Sequence, residues 1–96
     1  MYIASIRHKG LRQLYEDDNA KGVQASSVDK LKKLLIAIET ASNLDDLAVF
    51  PGWRLHPLKG DLAGFWSLTV TGNWRMIFQY EDASNTASIL DLIDYH

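Results

Sequence analysis

The spacing of apolar residues changes once along this chain. Before Phe50-Pro51-Gly52 they recur at helical intervals, and after it they alternate or run together. Tyr2 to Ile6 reads as a short opening strand. From His8 to Glu16, Leu11, Leu14 and Tyr15 fall at helical spacing and predict a short helix, which Gly10 weakens. The acidic and small residues from Asp17 to Gly22 predict a turn. Ser26 or Ser27 then caps a second helix reaching Ala41. Its apolar stripe is Val28, Leu31, Leu35, Ile38 and Ser42, with Lys30, Lys32 and Lys33 on a solvated face. Asn43 is placed to cap one more turn through Leu47.

Beyond Gly52 the pattern is that of strands. Trp53 to His56 reads as a strand stopped by Pro57. Phe65 to Thr71 and Trp74 to Glu81 flank Gly72-Asn73, a two-residue hairpin signal, although a longer loop is compatible and leaves the register open. Alternation puts Trp74, Met76, Phe78 and Tyr80 on one side and Arg75, Ile77 and Gln79 on the other. Thr86 to Ile93 is nearly all apolar, which predicts a strand covered on both faces near the centre of the sheet. Helices first and strands after predict a compact α+β domain. Two N-terminal helices pack on one face of an antiparallel sheet, mixed where the first strand joins. The 96 residues are expected to form a single domain.

Charge and cysteine content narrow the chemistry. The net charge of −2 argues against autonomous, tight, nonspecific binding of RNA, which basic proteins perform. An RNA substrate would need local positive charge or presentation by something else. With no cysteine there is no disulfide, thiolate nucleophile or zinc–thiolate site, and the three histidines do not fall at metal spacing. No metal or cofactor is expected. No apolar run is long enough to cross a bilayer and no signal peptide opens the chain, so a cytoplasmic location without membrane contact is expected. Ser27-Val28-Asp29-Lys30 fits the S-x-x-K form of acyl enzymes, but the serine stands before an amphipathic run and reads as a helix cap.

The residues left over carry proton-transfer and phosphate chemistry. Asp94-Tyr95-His96 ends the apolar strand, Asp94 and His96 continuing one side and Tyr95 the other. His56 stands before Pro57, where the backbone is held extended. Two imidazoles can serve as base and acid. Arg75 lies among apolar strand residues, and its planar fork suits a phosphate. Lys59, before Gly60, is a flexible cation. Each signal taken alone is weak: an isolated histidine or arginine is usually a plain surface residue. The tryptophans Trp53, Trp66 and Trp74 read as core filling rather than a partner surface.

Four blocks also resemble a known family. These are Arg54-Leu55-His56-Pro57-Leu58-Lys59-Gly60-Asp61, Gly64-Phe65-Trp66-Ser67-Leu68-Thr69-Val70, Asn73-Trp74-Arg75-Met76-Ile77-Phe78 and Asp94-Tyr95-His96. Together with the opening Ile6 to Leu11, they are similar to the HigB toxins of bacterial toxin–antitoxin modules, in the RelE/ParE superfamily. The resemblance implies a RelE-like fold and a ribosome-dependent mRNA endonuclease, an arrangement that also accounts for an acidic protein acting on RNA. It implies catalytic roles for His56, Arg75, Asp94, Tyr95 and His96, and substrate-binding roles for Arg54 and Lys59. The chemistry it implies is metal-free attack of a ribose 2′-OH on its 3′ phosphate, and which histidine acts as base stays open. The implied partners are the ribosome with mRNA and a HigA-like helix-turn-helix antitoxin, with operator DNA bound only through the antitoxin complex. Two rivals remain at this stage: a ParE-like poison of DNA gyrase, which shares the fold, and a non-catalytic interaction module.

Overall fold

The computed structural model describes residues 1–94. In chain order its elements are β1 (Tyr2–Ile3), α1 (Lys9–Asp17), α2 (Val28–Thr40), α3 (Asp45–Ala48), β2 (His56–Pro57), β3 (Phe65–Thr69), β4 (Trp74–Glu81) and β5 (Thr86–Asp94). The five strands form one sheet in the order β1-β5-β4-β3-β2. β1 runs parallel to β5, and the other neighbours are antiparallel. The expected α+β arrangement is what the chain adopts, with β4 at the centre and β5 beside it.

Capping and close approach define α1. The Nδ1 of His8 accepts from the Leu11 amide at 3.0 Å, a cap that satisfies an orphan N–H of the first turn. Leu11 and Leu14 are buried beneath the helix. Gly10, which weakens the sequence pattern, is required by packing. A Cβ built there would lie 2.1 Å from the carbonyl oxygen of Gly22. The loop after α1 therefore presses directly on the helix backbone.

α2 follows a 3₁₀ turn at Ala25–Ser27, and Ser27 precedes the helix without its side chain making the expected capping bond. Leu31, Leu34, Leu35 and Ile38 are buried. Leu34 joins the stripe because positions three and four apart share a face, whereas Ser42 falls beyond the helix end. The lysines are not simply solvated. Lys30 Nζ sits 5.5 Å from the Trp53 ring centroid, and Lys32 pairs with Asp18 at 2.8 Å. Asn43 Oδ1 accepts from the Asp46 amide at 3.1 Å, opening α3 as expected. Between α1 and α2 the Tyr15 hydroxyl donates to the Glu39 carboxylate. That bond, with burial second, pushes the phenol up to about 12.

Two strand expectations are corrected. Pro51–Trp53 is a 3₁₀ turn, and Arg54 follows in the left-handed conformation at φ 50°, so no strand spans Trp53 to His56. Pro57 does not stop the strand but belongs to it, paired with Trp66. β2 is the edge of the sheet, where a proline's missing N–H can face solvent. β3 ends at Thr69, and residues 70–73 form the connection to β4 in place of a two-residue turn. Val70 and Thr71 both donate to the Trp74 carbonyl, at 2.9 and 3.3 Å, which widens the loop.

The main core lies between the helices and one face of the sheet, where Leu68, Met76, Phe78 and Leu90 meet Leu11, Leu31, Leu34 and Ile38. Trp53, Trp66 and Trp74 pack against its margin, half-buried. A smaller cluster of Leu58, Phe65 and Ile77, with Leu62, Ile89 and Ile93 against it, covers part of the other face. β5 serves both faces through a bulge. Ile89 adopts φ 54°, and the pairing with β4 shifts between Ile77 and Gln79. The Ile89 amide donates to Ser5 Oγ at 2.9 Å and the Leu90 amide to the Ser5 carbonyl at 3.1 Å.

Two stability outcomes follow from this packing. Gly10→Ala is expected to destabilise by about 1–3 kcal/mol, as overpacking does. That exceeds the gain of about 1 kcal/mol that alanine has over glycine in a helix. A urea midpoint at or above the native value would contradict the close approach. For Tyr15→Phe the stability deficit is expected to be full below about pH 10 and to shrink as the pH rises toward 12, because the raised folded pKa loses its advantage on ionisation. Denaturant titrations across that range measure it.

Candidate active site

Cross-strand register gathers reactive side chains on the face of the sheet away from the helices. His56 stands opposite Ser67, Ser67 opposite Ile77, and Ile77 opposite Asp91. Thr69, Arg75 and Ile93 form the next row on that face, toward the 70–73 loop. From strand spacing and rise, the Cα atoms of His56 and Arg75 are about 12 Å apart. The sequence alternation that put Arg75 and Ile77 on one side of β4 holds.

His56 is exposed at the rim. Its Nδ1 lies 2.7 Å from the carbonyl oxygen of Arg54. A carbonyl oxygen only accepts, so Nδ1 carries the proton and Nε2 is the nitrogen left to exchange one. Arg75 is half-buried. Its Nη1 donates to the carbonyls of Thr71 and Gly72 at 2.9 Å each and of Trp74 at 3.1 Å. The arginine thus braces the loop at this end of the sheet and fixes its own position there.

The remaining expected residues are placed less uniformly. Asp94 pairs with Trp74, whose row faces the helices, so register sets it on the opposite side of the sheet from Arg75. It is exposed, at the same end as the 70–73 loop. Tyr95 and His96 lie outside the described residues. Lys59 is exposed just beyond Leu58, whose amide donates to the Phe65 carbonyl. That places it at the far end of β3, about 16 Å along the strand from the level of Arg75. Arg54 is exposed beside His56.

Sequence reasoning missed three groups on this face. Asp91 forms an ion pair with Arg7 at 3.7 Å and is largely buried, with 16% of its side chain exposed. Its signal was an acid inside an otherwise apolar run. The hydroxyls of Ser67 and Thr69 are buried without a hydrogen-bond partner among the described residues. They lie on the two rows that hold His56 and Arg75. Among the described residues no three His, Asp or Glu side chains converge as metal ligands would. A cavity of about 320 Å³ opens on the helix side, lined by His8, Lys21, Ser27, Leu31, Trp74 and Leu92 among others. It is separated by the sheet from His56 and Arg75.

Comparison with known proteins places the chain in a family. A family model described as a RelE-like toxin of type II toxin–antitoxin system HigB matches residues 4–96. The chain is 45% identical over 94 residues to a Proteus vulgaris protein named Endoribonuclease HigB, covering 98% of this chain and 99% of that one. It is 35% identical over 87 residues to Toxin HigB-1 of Vibrio cholerae, covering 90% of this chain and 92% of that one. Among solved structures, a YoeB/ParE toxin from Agrobacterium tumefaciens matches with a TM-score of 0.57 at 19% identity, over 100% of this chain and 99% of that one. That likeness is one of fold.

The bracing role of Arg75 has a measurable consequence. Arg75→Ala removes three bonds from a charged donor, and at this half-exposed site the loss is expected to be about 1 kcal/mol of stability. Thermal melting measures it, and an unchanged Tm would show that the loop does not depend on the guanidinium.

Proposed function

Because the chain belongs to the HigB-like family of RelE-like toxins of type II toxin–antitoxin systems, we propose that it is an endoribonuclease that cuts mRNA on the ribosome. The observation that carries this reading is near-full-length likeness to a relative named as an endoribonuclease. The 1–96 chain acts as one toxin domain, and a helix-turn-helix antitoxin neutralises it and brings it to operator DNA. Action on the ribosome implies the cytoplasm. Among the described residues no helix is long and apolar enough to cross a membrane.

The chemistry follows from the groups on hand. A ribose 2′-oxygen attacks the adjacent 3′ phosphorus, and the bond from phosphorus to the 5′ oxygen breaks. The products are a 2′,3′-cyclic phosphate and a free 5′-hydroxyl. One imidazole, His56 or His96, takes the 2′ proton and an acid at the Asp94-Tyr95-His96 end returns one to the leaving oxygen. Arg75 offsets charge on the equatorial phosphate oxygens. Arg54 and Lys59 hold neighbouring phosphates, Lys59 on the other side of His56 from Arg75. The role left for Tyr95 is to stack on a splayed base or to orient the phosphate. No metal takes part.

The acidic balance of the chain supports presentation by the ribosome. A net charge of −2 gives little counterion-release affinity for free RNA. Docked mRNA supplies proximity and near-in-line geometry instead.

Purified protein is accordingly expected to cut a message on translating ribosomes far faster than the same RNA free in solution, read by primer extension. His56→Ala is expected to lower cutting by roughly 10²–10⁴-fold, and a transition-metal chelator at constant magnesium is expected to leave it intact. Equal cutting of free and ribosome-bound RNA would contradict presentation. No cutting, together with inhibition of gyrase supercoiling, would move the protein to the ParE-like class.

A further inference from the structure

Arg54 combines a left-handed backbone with a contact to the proposed acid–base residue. It sits at φ 50° and ψ 51°, the residue that ends the 3₁₀ turn Pro51–Trp53, with its amide donating to the Pro51 carbonyl at 3.3 Å. A non-glycine residue in this region costs about 1 kcal/mol and persists where surrounding structure requires it. What the turn achieves here is the direction of one carbonyl. With Arg54 left-handed, its oxygen comes within 2.7 Å of Nδ1 of His56, two residues on. An extended Arg54, as an ordinary strand entry would have, sends that carbonyl elsewhere.

We propose that Arg54 is a positioning residue for cleavage, acting through its backbone: the left-handed turn aims its carbonyl at His56, holds the proton on Nδ1 and reserves Nε2 for the substrate. This rests on His56 acting as acid or base in the proposed reaction. As base, neutral His56 takes the 2′ proton on Nε2, and the charged ring that results still donates from Nδ1 to Arg54. As acid, the ring gives that proton back from Nε2. The same bond serves both states, because Nδ1 bears a proton in each. The bond also sets the ring's orientation at an exposed edge strand where little else packs against it. The Arg54 side chain is a separate matter, since its charge serves phosphate binding whatever the backbone does.

Two uncharged substitutions separate backbone from charge. Arg54→Asn removes the guanidinium and keeps a residue that tolerates the left-handed region, whereas Arg54→Val removes it and installs a β-branched residue that does not. Both are expected to raise KM for ribosome-bound message. Only Arg54→Val is expected to lower kcat further, on the order of 10-fold below Arg54→Asn, and Arg54→Gly is expected to keep the kcat of Arg54→Asn. The direct readout is the ¹⁵N spectrum of the His56 ring in its neutral form. The proton is expected on Nδ1 in the native, Asn and Gly proteins and chiefly on Nε2 in the Val protein. Equal kcat for the Asn and Val variants, or a native ring protonated chiefly on Nε2, would overturn the proposal. The native spectrum decides even if the Val variant does not fold. Full cleavage by a folded His56→Ala protein would instead remove the role of His56 in the reaction, and the ring spectrum would still report the contact.

Discussion

The bulge at Ile89 is the constraint on which the rest of this sheet depends. A β-branched residue at positive φ costs on the order of 1–3 kcal/mol, so something must hold it. Ser5 does, through its hydroxyl to the Ile89 amide and its carbonyl to the Leu90 amide. Before the bulge Ala87 pairs with Tyr80 and Ser88 with Gln79, and after it Asp91 pairs with Ile77 and Asp94 with Trp74. One extra residue in β5 thus resets which side chains face the helices. Leu90 and Leu92 go to the main core, Ile93 to the outer cluster, and Asp91 to the row that contains His56. Without the extra residue the same apolar run would present each of these to the wrong side.

This is also where sequence and structure part company. Helix spacing and strand alternation were legible, since the buried residues of α1 and α2 repeat at period 3.6, and along β4 Met76 and Phe78 join the main core while Ile77 between them joins the outer cluster. The bulge was not, because Ile89 is as apolar as its neighbours and no residue type announces positive φ there. Gly10 read as a flaw in a helix and is a contact point with Gly22, a distinction visible only once both backbones are in place. The turn before β2 was hidden in the same way: Trp53-Arg54-Leu55-His56 looks extended by composition, yet Arg54 is left-handed.

For the candidate site, the sequence named His56 and Arg75 and the sheet sets them on one face. It named Lys59 and Asp94 as well, but their neighbourhood is decided by strand direction and register. Lys59 falls at the far end of β3, and Asp94 on the helix-side row. Pairing partners such as Arg7 with Asp91 are 84 positions apart in number, beyond any local pattern. Local charge also reads differently once folded. Lys30 and Lys32 are drawn toward Trp53 and Asp18, while Arg54 and Lys59 remain exposed along the rim where His56 stands.

Both outer strands of the sheet are only two residues long, Tyr2–Ile3 at one rim and His56–Pro57 at the other. β4 is enclosed between β3 and β5, β5 is paired with β1 at Thr86 and Ala87 and bridged to Ile6 at Leu90, and the β2 rim carries a proline that has no N–H to offer. An exposed strand edge is a template on which another chain can zip up, and brevity and proline are two of the ways natural sheets blunt it. The β2 rim thus offers another copy little backbone to pair with, leaving the short edge beside His56 as a place for side chains rather than backbone to meet what comes.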